Sequence, residues 1–531
     1  MDFQSKRNEE RSLSRTEYVL KLLTPSPQRI ERLKSQMEHR LNAGRGEAKY
    51  IVGLNWEGQP VGLTLEELDS CISVLGSVAE SLDASLLLLA KEKKEEGYVG
   101  ELLIRKKERQ GVIMDIRVAL LGASGVGKTS LVGVLSKGVM DNGKGKAKNS
   151  TLLHKHEKKI GYTTSVTQHL VGFDTQGQVL RSKKGWEQLV CQSSKLISLI
   201  DLPGHAKYKR NLLYGMSSQN PDYCLIVYEP SEEPNSTFTD HLALASALKL
   251  PIFIVISKID KYPQIVIDRS LDYLQAELRN QRRTMMEVTN FEDVVLYSRL
   301  FAQEQLAPVF SVSFITGCNL DLLLSFLNLL PAAENWESTD SYPEFYIEKW
   351  YEKEGLIIGG VMVKGKACAL QRLMLGPDNR GKFRCVQIMG IHVNKVPVRS
   401  VSAGQFCSFK VTLGSSTEKW LRENELRKGM VLVDKKVNPR AAFEFQCLIW
   451  PIDSVKEART LKSSYEPMIY TQTISQCARV VGEGKTIVPG QSTNLTLRFL
   501  YHPEYVSENT RFIIRDTFMT ALGTITSLKF E

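Results

Sequence analysis

Hydrophobic and polar positions change their spacing along the chain, and each change marks a different kind of structure. In "AKYIVGLNW" apolar and polar side chains alternate, which predicts a half-buried strand. "GLTLEELDSCISVLGSVAESL" repeats its apolar positions at helical spacing. Thr64 can cap that helix, and Glu67, three residues later, can return the bond, a capping box. "ASLLLLAKEK" and "VGELLIRKKE" predict two more strands. Residues 28–110 therefore read as a small α+β module, with docking as its plainest use. From about 111, short β-rich runs recur: "IRVALLG", "KLISLI", "YCLIVY", "IFIVIS" and "APVFSVS". Helical stretches such as "SLVGVLSKGV" and "DHLALASALKL" separate them. That alternation predicts a mostly parallel sheet covered by helices over 111–335. "LPAAENWESTDSYP" (330–343) has the composition of a linker. Beyond it helical spacing stops, and short strands with glycine turns predict two consecutive β-barrels, 340–436 and 437–531, with the boundary near "KKVNPRAA".

Composition narrows the functional classes. Of the 531 residues 42% are hydrophobic and 24% charged, an ordinary globular balance. The net charge of +10 fits a polyanionic partner such as RNA without requiring one. Nine cysteines lie far apart with no CxxC pair, which argues against a zinc ribbon or disulfide framework and for a reducing compartment. His154 and His156 in "HKHEKK" read as solvated loop residues. No apolar stretch approaches the ~20 residues that a membrane helix needs. Residues 1–27 are polar, lack a signal core and read as a disordered tail, so a cytoplasmic protein is expected.

Candidate chemistry begins at "VALLGASGVGKTSLVGVL", where Gly122, Gly127, Lys128 and Thr129 complete GxxxxGK(S/T) between a predicted strand and a predicted helix. In a phosphate-binding loop the backbone from Gly122 through Ala123, Ser124, Gly125, Val126 and Gly127 wraps the phosphates, with Ser130 on the first helical turn. Lys128 would reach the β- and γ-phosphates, and Thr129 would bind Mg²⁺. A second strand, "KLISLID", ends in Asp201, positioned to hold the Mg²⁺ shell. Gly204 can bring its N–H to a γ-phosphate. "VISKID" ends a third strand with Ser257, Lys258 and Asp260; a carboxylate there accepts from guanine N1 and N2, a donor pair that adenine lacks. Ser313 and the backbone of Phe314 in "SVSFITGCNL" could complete the base pocket.

In this order and followed by two barrels, the motifs resemble those of the translational GTPases, whose distinguishing piece is "DLPGH" with His205. "DNGKGKAK", "HKHE", "GYTTSV", "DLPGHAKYKRNLLYGM", "ITGCNLDLL" and "ALGTITSL" are similar to the GTP-binding protein 1 and GTP-binding protein 2 family, from about residue 62 to the C-terminus. The resemblance implies a monomeric GTPase that binds GTP and Mg²⁺. It implies that His205 orients the attacking water on the ribosome, and that Thr163 is the first switch threonine, with Thr164 its near rival. Lys128 and Thr163 join His205 as catalytic candidates, and Thr129, Thr163 and Asp201 are the metal candidates. Implied partners are aminoacyl-tRNA and the ribosome, with RNA-decay machinery as a further class and no membrane. The implied role is ribosome quality control or rescue of stalled ribosomes. Basic residues crowd both switches: Lys144, Lys146, Lys148, Lys155, Lys158 and Lys159 near the first, and Lys207, Lys209 and Arg210 near the second. Arg498, His502, Arg511 and Arg515 lie among aromatics in the last barrel, as strand-surface residues or tRNA contacts.

Departures from the family pattern support a second reading, a slow or inactive GTP-binding scaffold. Ser124 and Gly125 replace the usual loop residues. Ser124 and Tyr162 replace the apolar pair that gates the histidine, so the imidazole is expected to be unheld without the ribosome. Ser257 replaces asparagine, which predicts weaker bracing of the base loop. Leu356 stands where relatives commonly carry threonine, which separates the first barrel from a standard aminoacyl-end pocket.

Overall fold

The structure is a computed structural model. It describes residues 16–530 except 20–21, 24, 56–58, 61, 95–96, 108–113, 153, 182–184, 232–235, 302–304, 333–340, 353–354, 415–425, 453–458, 462–464, 483–484, 488–490 and 517–518.

The N-terminal module begins before the limit drawn from sequence. Thr16–Val19 (β1) pairs in parallel with Glu47–Val52 (β2) and so is not a tail. The polar composition around β1 hid it; its partner strand is about thirty residues away. Residues 1–15 of the expected tail lie outside the described residues. Helix α1 (Pro27–Ala43) starts with Ser26 as cap and a proline in its first turn, where the missing N–H costs nothing. Helix α2 (Leu65–Ser81) carries the Thr64–Glu67 capping box. Strands β3 (Ala84–Lys94) and β4 (Gly97–Lys106) complete a sheet of order β1-β2-β4-β3.

Alternation along β2 and β4 gives that sheet two faces. Ala48, Tyr50, Val52, Leu102 and Ile104 pack against α1 and α2. Leu103 and, from β3, Leu89 join the core of the central domain. Polar residues on that second face are buried too. Glu47 pairs with Arg105 (2.6 Å) and Lys195 (3.2 Å). Arg105 also donates to Asp174 O and Asn328 Oδ1, and Lys195 donates to the carbonyls of Asn328 and Leu330.

The central sheet comprises β5 (Met114–Leu121), β6 (Thr167–Phe173), β7 (Val179–Leu180), β8 (Lys195–Asp201), β9 (Tyr223–Tyr228), β10 (Ile252–Ile256), β11 (Thr284–Glu287) and β12 (Leu306–Ser311). Their order is β11-β12-β10-β9-β5-β8-β6-β7, parallel except where β6 pairs with β8 and β7. Both faces are buried, which is why these strands read as unbroken apolar runs. Ile116, Val118 and Leu120 of β5 face one core. Ala119 and Leu121 face the other, which also takes Tyr470 and Ile513 from the last barrel.

Helices α3 (Lys128–Lys137), α4 (Lys146–Asn149), α5 (Lys155–Ile160), α6 (Trp186–Gln192), α7 (Lys209–Ser218), α8 (Ser236–Ala247), α9 (Gln264–Asn280), α10 (Phe291–Leu300) and α11 (Leu320–Leu329) connect the strands. Downstream, Glu344–Glu352, Leu356–Lys364, Phe406–Leu413, Arg384–Val393, Arg372–Gly376 and Val431–Val433 close into a ring of six strands. A second closed barrel runs from Glu444–Pro451 to Thr520–Lys529. Arg427 and Glu504 tie the barrels together through a buried pair (2.7 Å). Among the described residues no helix is long and apolar enough to cross a membrane.

Candidate nucleotide-binding site

The loop between β5 and α3 opens on one side of a cavity of about 500 Å³. Gly127 sits at φ 104°, where a side chain would be strained and a Cβ would come within 2.9 Å of the Phe314 ring. Lys128 lies under the loop, donating to the carbonyls of Gly122 (2.7 Å) and Ala123 (2.8 Å). Burial pushes its ammonium down to about 8, against the opposing pull of Asp201. Gly204 of the second switch closes over it: a Cβ there would run into Lys128 and stand 2.6 Å from the Gly122 carbonyl. Ser124, Gly125, Gly127, Thr129 and Ser130 line the cavity. Ala123 and Val126 contribute their carbonyls to Lys128 and Ser257 rather than to the cavity wall.

Three oxygens converge beside Lys128. Thr129 Oγ1 and Thr163 Oγ1 both donate to Asp201 Oδ2 (2.8 and 3.0 Å), and the two hydroxyl oxygens are 2.8 Å apart. Either hydroxyl can also donate to the other, so the three oxygens form one closed cluster. Asp201 Oδ1 is buried without a partner. Burial pushes the Asp201 carboxyl up, opposed by Lys128 and the two hydroxyls. Clustered hard oxygen ligands and an unmet carboxylate oxygen fit a small divalent cation such as Mg²⁺.

The two switch threonines have different partners. Thr163 turns to Asp201, whereas Thr164 is consumed by Glu157, which accepts from its N–H (2.8 Å) and hydroxyl (2.9 Å). Burial raises the Glu157 carboxyl, and hydrogen bonds from Thr164 and Ser165 outweigh that and hold it below the usual range. The peptide between Gly161 and Tyr162 is pinned as well, since Lys148 donates to Gly161 O (2.9 Å). His154 stands at the N-cap position of α5 and His156, in its first turn, lies 3.0 Å from the Thr164 hydroxyl; both are exposed, and His156 is helical rather than in a loop.

His205 is exposed and is not among the residues lining the cavity. Its ring stacks on Tyr162 (centroids 5.2 Å apart, planes at 19°) and meets the edge of Tyr208 at 6.2 Å. Its Nδ1 accepts from Lys207 N (3.2 Å). The imidazole is therefore not in place over the cavity, and it is parked beside it. An aromatic residue at 162 offers a flat face, and the ring is held there.

At the base end Asp260, Lys258 and Lys261 line the cavity. Ser313 donates to Asp260 Oδ1 (2.5 Å). Ser257 does brace the loop: its fully buried hydroxyl, with one proton, reaches Val126 O (2.6 Å) and Tyr228 O (3.2 Å). Phe314 contributes mainly its side chain, buried beneath Gly127, while its carbonyl accepts from Asp141 N. Asp141, Glu157 and Glu229 belong to this site and no sequence spacing points to them. Asp141 and Glu157 stand in stretches that the family resemblance singles out, "DNGKGKAK" and "HKHE"; Glu229 does not.

Residues 115–332 match the family described as the elongation factor Tu GTP binding domain. The chain is 33% identical over 519 residues to GTP-binding protein 1 of Xenopus laevis, covering 96% of this chain and 78% of that protein. It is 32% identical over 533 residues to GTP-binding protein 2 of Homo sapiens, covering 97% and 86%. Among solved structures, the apo translation elongation factor SelB of Methanococcus maripaludis superposes with a TM-score of 0.54 at 17% identity, over 78% of this chain and 80% of that one. The GTPase-like domain of S. cerevisiae Ski7, bound to GTP, gives 0.56 at 14%, over 78% and 97%.

Proposed function

The chain belongs to the GTP-binding protein 1 and GTP-binding protein 2 family and carries its GTP-binding, GTP-hydrolysing domain. From that premise we propose a Mg²⁺-dependent, ribosome-stimulated GTPase of the cytoplasm that engages aminoacyl-tRNA and acts in ribosome quality control or the rescue of stalled ribosomes. Lys128 turns from the loop carbonyls to the β- and γ-phosphates when they fill the cavity. Thr129, Thr163 and Asp201 hold Mg²⁺, which neutralises phosphate charge when bound. Gly204 brings the second switch against the γ-phosphate, and Asp260 reads guanine. Phosphoryl transfer needs placement of water and charge stabilisation more than a strong base, so the remaining requirement is a group that orients water.

His205 carries the reading. It is exposed, one residue beyond Gly204, and stacked on Tyr162 outside the cavity, so a partner at the surface has to turn it inward. The exposed lysines around both switches, among them Lys144, Lys155, Lys158 and Lys207, offer that partner a phosphate-binding face. The same parked imidazole, with Ser124 and Gly125 in the loop, also favours a second reading: a scaffold whose GTP state only switches its binding to RNA-decay or ribosome-associated partners.

Multiple-turnover hydrolysis with and without ribosomes and aminoacyl-tRNA, with Lys128→Ala as control, separates the two. Stimulation lost in the control supports the GTPase. Tight GTP binding with no stimulated turnover leaves the scaffold.

A further inference from the structure

Glu229 follows β9 directly and is absent from the motifs of the base pocket. Its carboxylate gathers three donors from one loop. Lys258 Nζ lies 2.6 Å from Oε2, Tyr262 OH 2.8 Å from Oε1, and Lys261 Nζ 3.4 Å from Oε1. Lys258 also donates to Gly125 O (2.8 Å), so one ammonium joins Glu229 to the phosphate-binding loop.

Asp260 stands midway between the two residues most tightly tethered, Lys258 and Tyr262. The loop needs such tethers. Lys258 has φ 59°, a left-handed conformation that a non-glycine residue keeps only where its surroundings over-determine it. The Asp260 carboxylate itself accepts from Ser313. Burial raises the Glu229 carboxyl, and hydrogen bonds from Lys258 and Tyr262 with the lysine charges outweigh that and keep it ionised.

We propose that Glu229, seconded by Tyr262, is a positioning residue for guanine recognition that fixes the plane of the Asp260 carboxylate through both flanks of its loop. The proposal rests on Asp260 being the base-reading group. A carboxylate that accepts from guanine N1–H and N2–H together must lie in the plane of the base. When the loop loosens, the second of those bonds is lost first. Inosine triphosphate lacks the N2 amino group, so the ratio of its affinity to that of GTP reports the plane and not merely the stability of the fold.

The test measures GTP and inosine triphosphate affinity by competition on the full chain carrying Glu229→Ala, Glu229→Gln or Tyr262→Phe, with thermal unfolding to show that each variant is folded. Glu229→Ala is expected to weaken GTP by about tenfold, the scale of a charge-assisted hydrogen bond. Inosine triphosphate should weaken by only about threefold, so the discrimination shrinks. Glu229→Gln should fall between this and wild type, and Tyr262→Phe should give a smaller loss in the same direction. Equal weakening of the two nucleotides, or of neither, overturns the proposal. If wild-type protein binds ATP as well as GTP, the base-pocket assignment fails first and takes the proposal with it; that arm needs no variant and so is read separately.

Discussion

His205 does not itself line the cavity; it stacks on Tyr162, which does, meets the edge of Tyr208 and accepts from the Lys207 N–H. Replacing it with alanine is therefore expected to leave GTP affinity within about twofold of wild type. Ribosome-stimulated hydrolysis should fall by at least ~100-fold, about 2.7 kcal/mol of transition-state stabilisation. Phosphate release on ribosomes measures this, and a variant that keeps the stimulated rate makes the histidine a bystander. Thr163 and Thr164 differ in the same concrete way. Thr163→Ala removes an oxygen from the Asp201 cluster, so GDP binding should stay near wild type while the gain in partner affinity with GTP disappears. Thr164→Ala frees Glu157 and should instead loosen the first switch; if it abolishes the GTP-dependent gain while Thr163→Ala preserves it, the roles are reversed. At this scale the sequence made Lys128, Thr129 and Asp201 legible, because a short motif fixes their spacing. Spacing alone does not choose between adjacent threonines; the family resemblance points to Thr163, and the fold shows that its hydroxyl is the one facing Asp201.

Elements were legible where their pattern is local. The Thr64–Glu67 box, the phosphate-binding loop and the strands of the central sheet all follow from spacing within a few residues. The polar positions of β2 and β4 misled for the opposite reason. Alternating charge predicts a solvated face, yet Glu47 meets Lys195 across 148 positions of sequence, and Arg105 is almost wholly buried. Burial pushes the Lys195 ammonium down to about 7, with Glu47 pulling it back up. Glu47→Ala leaves two buried cations without their carboxylate and should cost about 3 kcal/mol, the scale for breaking a buried pair from one side. Thr64→Ala, at an exposed cap on the far helix, should cost about 1 kcal/mol. Denaturant unfolding of the full chain compares them, and equal losses would mean that the buried network contributes nothing beyond an ordinary surface bond.

Across the whole molecule the central sheet has the N-terminal module joined to one core and the last barrel to the other, while both switches stay at the surface. That arrangement leaves the basic switches open to RNA. Binding of aminoacyl-tRNA should depend on GTP and weaken steeply as salt rises, because each lysine–phosphate contact releases counterions. Filter binding at several salt concentrations tests it; a flat response, or equal affinity with GDP, favours the scaffold. The sequence by itself determined the nucleotide chemistry, the succession of module, α/β domain and barrels, and the presence of a histidine after Gly204, since each is written in residues close together along the chain. Only the tertiary structure decided that β1 belongs to the module, that Thr163 and not Thr164 faces Asp201, that Tyr162 holds His205 aside and that Glu229 grips the base loop. Each of these depends on which distant or competing side chains share a surface, and hydrophobic spacing along the chain carries no record of that.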